Sequence, residues 1–492
     1  MKKIITVEER LSGKTARGAL WVFTLRIIDR LFKTVRTIIL ARLLSPDDFG
    51  IFGIALLVLS TLEVFSQTGY PQALIQKKGR IGHYLNTAWT VGLIRGLLIA
   101  IVVFFVSKPA AVFFTTPGAE EILRVIGISI VVRSFTNIAV IYFHKELEFQ
   151  KFFKYRFLGT IADFAVAIAA AFFLKNVWAL IYGLLAGNLT RCMMSYVIEP
   201  YRPKFQFDRN QARELFSFGK WIIGSGILIF FIIQGDDIVV GKLLGAAMLG
   251  FYQVAYRISN MPTTEITLVI SNVSFPLYSK LQGNLTKLKN AYLKILQLTT
   301  FISFPLAGII FALAQEFTQL FLGKQWMPIV PSIRVLVLAG LIRSLITTTI
   351  PVLRAVGKPK IETKWQVIRL SVLLILIYPL TIKYGILGTS VAVFISACIS
   401  SIGFCIAAIH ITRCGIKTFC KLITLPLING ATTVLSIYVI KAYINAYTAP
   451  GFFSLIGISI GISIGINYLF DKYLHYRLRL LITEGAISFR GR

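Results

Sequence analysis

The chain has 492 residues, a mean hydropathy of +0.75 and 56% hydrophobic residues. Because soluble domains contain about 45–50% apolar residues, this composition excludes an ordinary soluble protein and predicts an all-α protein that crosses a membrane many times. The formal net charge of +31 comes from 52 lysines and arginines against 21 aspartates and glutamates. Glu8, Glu9 and Arg10 stand where a signal peptide needs apolar residues, so we expect the N terminus to stay in the cytoplasm.

Apolar windows of about 20 residues predict about 14 transmembrane helices. Because the window ends are gradual, their boundaries are good only to a few residues. They lie near residues 19–40, 50–69, 85–106, 121–142, 157–174, 177–198, 217–240, 250–275, 291–313, 331–352, 366–382, 386–409, 422–440 and 451–470.

The first span contains a stripe of charged residues. Arg26, Asp29, Arg30, Lys33 and Arg36 lie within an arc of about 120° on a helix with 3.6 residues per turn. Each charge that faced hydrocarbon would cost at least about 2.5 kcal/mol, so we expect the stripe to face a water-filled cavity or other helices. A cavity lined by these cations would attract anions.

Basic residues alternate along the connections between the spans. Counted after the first span, odd-numbered connections contain one lysine or arginine each, whereas even-numbered connections and both termini are much richer in them. The positive-inside rule therefore places both termini in the cytoplasm. It also explains most of the net charge, which favours contact with anionic membrane lipids and not with nucleic acid.

Residue matches at an offset of 200 indicate an internal duplication, in which each copy contains six spans. An even number of spans gives both copies the same orientation, so we expect an axis along the membrane normal and a substrate site between two halves that rock. The predicted domains are an N-terminal half over 1–200, a C-terminal half over 201–412, and helices 13 and 14 with a basic tail over 413–492. The matches include Trp21 with Trp221, Arg42 with Lys242, and Gly50 with Gly250.

The last predicted span has glycine at every fourth position, at Gly457, Gly461 and Gly465. This spacing is typical of close helix packing in membranes. We favour a contact inside the protein over a dimer interface, and we expect a monomer.

Three segments resemble those of a known family. They are ILARLLSPDDFG at Ile39–Gly50, FPLYSKL at Phe275–Leu281 and RAVGKPK at Arg354–Lys360. Over residues 15–410 the chain resembles the Wzx-type polysaccharide-precursor flippases of the multidrug/oligosaccharidyl-lipid/polysaccharide exporter superfamily.

The resemblance implies that the protein moves an undecaprenyl-pyrophosphate-linked oligosaccharide across the cytoplasmic (inner) membrane of a bacterium by alternating access. It also implies glycosyltransferases and a polymerase of the same pathway as partners. The residues agree with this function, because arginine pairs with phosphate oxygens through a planar fork while the prenyl tail stays in lipid. The glycan stays open among lipopolysaccharide, capsule, exopolysaccharide and teichuronic-type precursors.

Cationic residues within the spans are the candidate contacts for the pyrophosphate. A structural role is equally open for those outside the first span, and Arg36 and Arg133 have the alternative of extending to a membrane interface. The candidates are Arg26, Arg30, Lys33 and Arg36 in the first span, Arg95 and Arg133 in the third and fourth, and Arg257, Arg343 and Arg369 in the second half.

Carboxylates within the spans are candidates for coupling transport to an H⁺ or Na⁺ gradient. The alternative is charge balance with the arginines, which we favour for Glu63 and Glu265. Asp29 also has Arg26 and Lys33 one turn away on the same helix. The full set is Asp29, Glu63, Asp163, Asp236, Asp237 and Glu265.

Enzymatic chemistry has little support in the sequence. Gly13-Lys14-Thr15 resembles the end of a phosphate-binding loop, but Glu8 replaces the first glycine that such a loop needs. The four histidines and five cysteines lack the spacing of metal ligands. We therefore expect no enzyme activity, no cofactor and no bound metal.

Two rival functions are open. A drug or cation exporter of the same superfamily would need an acidic or aromatic cavity, whereas arginine and lysine outnumber acids within these spans. A membrane glycan polymerase or transferase commonly has a large outer loop, whereas the longest predicted outer connection covers only residues 314–330. Both alternatives are therefore less favoured than the flippase.

Overall fold

The computed structural model describes residues 28–77, 79–146 and 148–474, with the backbone alone at 149, 218–223, 225, 261–273 and 474. Throughout these ranges the regular structure is helical and no strand occurs. The helices are α1 (28–43), α2 (Pro46–Ser66), α3 (Tyr70–Gln76), α4 (Gly82–Phe113), α5 (Ala119–Ser134), α6 (Ile141–Lys145), α7 (Phe149–Leu174), α8 (Trp178–Ile198), α9 (Arg209–Leu244), α10 (Ala246–Leu281), α11 (Leu285–Phe317), α12 (Val330–Ala355), α13 (Pro359–Thr412), α14 (Ile416–Ile440) and α15 (Ala449–Leu474).

The predicted class, an all-α polytopic membrane protein, is confirmed. In the described ranges eight helices are long and apolar enough to cross a membrane, or nine if the bent pair of α5 with residues Ile138–Lys145 is one span. One of the eight is α13, whose 54 residues would extend about 80 Å against a hydrocarbon core of about 30 Å. The backbone of Gly385 is non-helical, with φ 60° and ψ −141°, and divides α13 into two helices. The number of 14 spans stays a prediction.

The fourth predicted span is not one continuous helix. The chain bends by 73° between α5 and residues Ile138–Lys145. Asn137, which is fully buried at this break, donates from its backbone to Ser195 Oγ at 3.0 Å and from Nδ2 to the Tyr201 carbonyl at 2.6 Å. A side chain that competes for backbone hydrogen bonds ends a helix even within an apolar sequence.

The start of α2 has a local cause in the sequence Ser45-Pro46-Asp47-Asp48. Ser45 Oγ accepts a hydrogen bond from the backbone N of Asp48 at 3.2 Å, and Asp48 Oδ2 accepts one from the backbone N of Ser45 at 2.9 Å. This is a reciprocal capping box, with proline at the first helical position. Part of the segment on which the family resemblance rests is therefore a helix-start signal.

The chain divides into two compact units, one extending to Gly250 and the other beginning at Phe251. Inside the first unit, the starts of α2 and α10 meet without room for a side chain. A Cβ added at Gly50 would overlap the carbonyl oxygen of Ala246, and one added at Gly250 would overlap that of Pro46. Gly50 and Gly250 are 200 residues apart, and so are the residues that they meet, Pro46 and Ala246. The two contacts are therefore equivalent under the internal duplication.

Apolar side chains between helices form the core of each unit. In the first, Ile99 and Val103 of α4 pack with Ile126 of α5 and Ile181 of α8. In the second, one cluster joins residues of α11, α12 and α14 and contains the fully buried Tyr292, whose hydroxyl lies 3.0 Å from Thr349 Oγ1.

The glycine stripe of α15 does not make the internal contact that its spacing predicts. Among the described residues, no heavy atom lies within 4 Å of a Cβ added at Gly457, Gly461 or Gly465. The helix instead packs through its buried Leu455 and Ser463, the latter accepting a hydrogen bond from the Asn429 amide at 3.1 Å. The glycines do share one face of α15, but the face that packs against the protein is the opposite one.

Candidate functional site

The charged stripe of the first span meets α7. Arg36 Nη2 lies 3.0 Å from Asp163 Oδ1, with the two side chains only 13% and 19% exposed. One and two turns earlier, Lys33 Nζ lies 2.7 Å from Asp29 Oδ2, and Thr160 donates to Asp29 Oδ1 at 2.9 Å. We call Asp29, Lys33, Arg36, Thr160 and Asp163 the α1–α7 cluster.

Residue spacing explains why these side chains meet. Positions 29, 33 and 36 on α1 and positions 160 and 163 on α7 are three or four residues apart, so each set lies on one helix face. Between them, the ring of Phe32 packs edge-on against Phe157 and Phe164, with centroids 5.5 and 5.4 Å away. The two helices therefore join through an aromatic contact flanked by charge pairs.

Glycines on α8 leave room for Asp163. A Cβ at Gly183 would lie 2.9 Å from Asp163 Oδ1, and one at Gly187 would lie 2.9 Å from Asp163 Cβ. Arg191, which follows on α8, lies against Gly159 of α7, where an added Cβ would be 2.7 Å from Arg191 Nε. From the sequence, Arg191 is a structural residue at a span end, and Thr160 was not among the predicted site residues although it stands one turn before Asp163.

A second group of predicted residues joins α2, α4 and α5. Glu63 forms an ion pair with Arg133, while Arg95 Nη2 donates to the Glu63 carbonyl at 2.7 Å and Arg95 Nε donates to Ser66 Oγ at 3.2 Å. The Glu63 carboxylate therefore pairs with Arg133, whereas Arg95 is held by the backbone of Glu63 and by the side chain of Ser66. Glu63 balances part of this charge, and Ser66 is a polar partner that the sequence did not single out.

In the second unit the predicted arginines have three different environments. Arg343 Nη1 donates to the Tyr256 hydroxyl at 2.8 Å, and its guanidinium also lies 5.4 Å from the centre of that ring. Among the described residues, Nε and Nη2 of Arg343 have no hydrogen-bond partner. Arg369 is buried, whereas Arg257 is exposed. Tyr256, next to Arg257 in sequence, was not predicted.

The remaining candidates divide by what the structure describes. Asp236 is buried and Asp237 is half-buried, while Arg30 is half-buried on α1. Arg26 and the side chain of Glu265 lie outside the described residues.

Outside the spans, Glu214 fixes the start of α9. It pairs with Lys77 after α3, and Tyr84 of α4 donates to Glu214 Oε2 at 2.6 Å. The hydrogen bonds from Lys77 and Tyr84 lower the pKa of the Glu214 carboxyl, so it stays ionised at neutral pH. The first turns of α9 are thereby attached to the end of α3 and to α4 of the same unit.

Cations predominate around the α1–α7 cluster of the first unit. Around the α1–α7 cluster, the cations Arg30, Lys33, Arg36 and Arg191 outnumber the carboxylates Asp29 and Asp163. In the described ranges, no group of histidine, cysteine, aspartate or glutamate could hold a metal ion, and all five cysteines are free thiols. The available interactions are charge pairing and hydrogen bonding.

A family model described as "Polysaccharide biosynthesis protein" matches residues 39–331, more than half of the chain. The chain belongs to this polysaccharide biosynthesis family. The Wzx-type resemblance of the sequence is thereby confirmed at the level of the family.

Curated members of the family are similar over most of their length. The lipopolysaccharide biosynthesis protein WzxC of Escherichia coli is 25% identical, with 73% of each chain covered. The succinoglycan biosynthesis transport protein ExoT of Rhizobium meliloti is 26% identical over 68% of each chain, and the teichuronic acid biosynthesis protein TuaB of Bacillus subtilis is 21% identical over 71% of this chain and 73% of its own.

Solved structures agree on the fold. The lipid II flippase MurJ in an inward closed conformation matches with a TM-score of 0.75 and 17% identity, covering 92% of this chain and 99% of its own. An inward-facing multidrug resistance MATE transporter of the MOP superfamily matches with a TM-score of 0.58 and 15% identity, covering 78% and 96%. This family member therefore has the fold of polytopic helical transporters.

Proposed function

We propose that the protein flips lipid-linked oligosaccharide precursors, carried on undecaprenyl pyrophosphate, across the cytoplasmic membrane for the synthesis of a cell-surface polysaccharide. The observation on which the proposal rests is the α1–α7 cluster together with Arg30 and Arg191 beside it, where four cations stand against the two carboxylates Asp29 and Asp163 among the helices. Membership of the polysaccharide biosynthesis family supports it. Three relatives are named for the biosynthesis of lipopolysaccharide, succinoglycan or teichuronic acid, and this supports the same class of cargo.

The charges provide a physical route for the head group. A pyrophosphate in hydrocarbon would lose its hydration, which is the main barrier to flipping. Arg30 and the cations of the α1–α7 cluster replace part of that hydration, while the prenyl tail stays in lipid. Asp29 and Asp163 balance Lys33 and Arg36, so these two cations are not left unpaired between transport cycles.

In the proposed cycle of alternating access, residues 1–200 and 201–412 are two six-helix halves, and residues 413–492 form an appendix. Both termini lie in the cytoplasm, as the basic connections indicate. The protein works as a monomer alongside the glycosyltransferases and polymerase of its pathway, and it performs transport, not bond chemistry. The excess of intramembrane cations disfavours the drug or cation exporter.

The first test is the leaflet exposure of lipid-linked oligosaccharide in cells. Depletion of the protein is expected to trap the precursor on the inner leaflet. Arg30→Ala at normal membrane abundance is expected to slow exposure about 10- to 100-fold, because one charge-assisted hydrogen bond contributes about 1.5–3 kcal/mol. Normal exposure after depletion, in a strain without a redundant transporter, contradicts the proposal.

A matched control separates loss of charge from loss of folding. Arg124→Ala removes an arginine of the same unit that pairs with Glu120 on the surface of α5, where the side chains are 43% and 27% exposed. Its exposure rate is expected to stay close to that of the unchanged protein. Equal defects in Arg30→Ala and Arg124→Ala would assign Arg30 a structural role.

Ion coupling is tested separately in vesicles that contain the purified protein. Because Glu63 and Asp163 both pair with arginines, we infer charge balance for them and keep Asp237 as the carboxylate to examine for coupling. If a gradient drives the cycle, its collapse is expected to slow transport, and Asp237→Asn is expected to remove that dependence. Transport that ignores both proton and sodium gradients excludes coupling.

A further inference from the structure

A cavity of about 360 Å³ lies at one end of α11 and α14, within the second unit. Glu316 near the end of α11, Lys441 after α14 and the loop residues 442–447 line it. Its volume is within the range of about 300–1,000 Å³ found for small-molecule sites. The loop belongs to the thirteenth connection, which the positive-inside rule places on the outer face.

A buried carboxylate in the wall of this cavity is only half satisfied. Lys441 Nζ lies 2.7 Å from Glu316 Oε1 and donates to the Ala312 carbonyl at 2.6 Å. The Glu316 side chain is 7% exposed, and its Oε2 has no hydrogen-bond partner among the described residues. A buried acceptor without a donor costs free energy, so the site favours a ligand that brings a hydroxyl or N–H group.

The other wall presents aromatic and amide groups on a fixed loop. Tyr443 is 85% exposed, and Tyr447, whose hydroxyl accepts from Gln315 Nε2 at 3.0 Å, is 43% exposed. Asn445 Oδ1 accepts from the backbone N of Tyr447 at 3.0 Å, and the Asn445 carbonyl accepts from Thr448 Oγ1 at 3.0 Å. The amide and the ring of Tyr447 are therefore held before any ligand arrives.

We propose that this cavity binds an uncharged sugar unit of the glycan on the outer face of the membrane. The hydroxyls of a sugar donate to a carboxylate oxygen and accept from an amide, while its C–H face packs on tyrosine rings. The inference rests on the proposed function, since the glycan must reach this face to meet the site. A bound sugar there would favour completion of flipping over return of the glycan.

The charges of the cavity disfavour other ligands. Lys441 lies against the one carboxylate, so a metal cation would meet a competing ammonium group. The same carboxylate repels phosphate and other anions. Because the pair is neutral as a whole, it suits a polar molecule without net charge.

Saturation-transfer NMR on the full-length protein in lipid nanodiscs tests the site. The probes are methyl glycosides of glucose, galactose, mannose and N-acetylglucosamine. At least one is expected to receive saturation from the protein, with the signal reduced about tenfold by Glu316→Gln, which replaces the Oε2 acceptor with a donor, and by Tyr443→Ala. Tyr443 is exposed, so its removal leaves the fold intact even if the exchange at Glu316 does not.

Two controls make the result decisive. Tyr384→Ala removes another tyrosine, 54% exposed, from the eleventh connection on the same predicted face, and it is expected to keep the signal. Arg30→Ala is also expected to keep it while flipping is slowed. No signal from any probe, or a signal that all variants share, overturns the site even if the protein flips its substrate. A signal specific to this cavity in a protein whose depletion leaves exposure normal would instead overturn the proposed function.

Discussion

Asp163→Asn is expected to destabilise the protein by about 3 kcal/mol, because it leaves the guanidinium of Arg36 without its counter-ion between α1 and α7. Asparagine keeps the shape of aspartate beside the glycines of α8, so the change removes charge and not packing. Arg36 Nε already has no hydrogen-bond partner among the described residues. Unfolding in mixed detergent micelles, followed by circular dichroism, measures the loss.

The double variant Arg36→Met with Asp163→Asn distinguishes the pair from its surroundings. Removing both charges is expected to recover most of the lost stability, since a buried ion pair is often replaceable by uncharged side chains. Glu120→Gln breaks the exposed pair with Arg124 on α5 and is expected to cost less than about 1 kcal/mol. A cost for Asp163→Asn no larger than for Glu120→Gln would show that the pair does not stabilise the fold.

Among glycine-to-alanine substitutions in the described residues, Gly50→Ala is expected to destabilise the protein most. The new Cβ would overlap the carbonyl oxygen of Ala246, which is backbone and cannot rotate away. Overpacking usually costs about 1–3 kcal/mol of stability, and we expect the loss here to exceed that range. The better helix propensity of alanine offsets only about 1 kcal/mol of it. The yield of folded protein and its unfolding midpoint are the measurements.

The same change at Gly457 is the matched control. No described heavy atom lies within 4 Å of its added Cβ, so Gly457→Ala is expected to be neutral or slightly stabilising. Gly250→Ala is expected to resemble Gly50→Ala because it would overlap the carbonyl of Pro46. If Gly50→Ala and Gly457→Ala behave alike, the close contact between α2 and α10 is not what constrains these positions.

Several features could be predicted from local sequence because their causes are local. Composition and apolar windows gave the all-α membrane class, since each helix must satisfy its backbone internally within lipid. The segment Ser45–Gly50 contains the signals that start α2, because a capping residue and a first-turn proline act over a few residues. The spacing of Asp29, Lys33 and Arg36 placed them on one face of α1 before any partner was known.

Other features could not be predicted because they depend on residues far apart in sequence. The break in the fourth predicted span depends on Asn137 meeting Ser195 and Tyr201. The glycine spacing in α15 indicated a face suited to packing but not whether a neighbour covers it. Glu316 lies in the predicted outer connection over residues 314–330, and its partner Lys441 is far away in sequence, so local sequence did not indicate the pair.

The sequence by itself determined that this protein spans a membrane repeatedly, that its basic residues alternate between connections, and that cations are placed within its apolar helices. It determined these properties because hydropathy, charge and helical periodicity are sums over neighbouring residues. Only the tertiary structure decided which carboxylate meets which cation, with Asp163 on Arg36 and Glu63 on Arg133. Such pairing is decided by helix packing, since partners on different helices become neighbours only when those helices pack together, as α1 and α7 do through Phe32 and its contacts with Phe157 and Phe164.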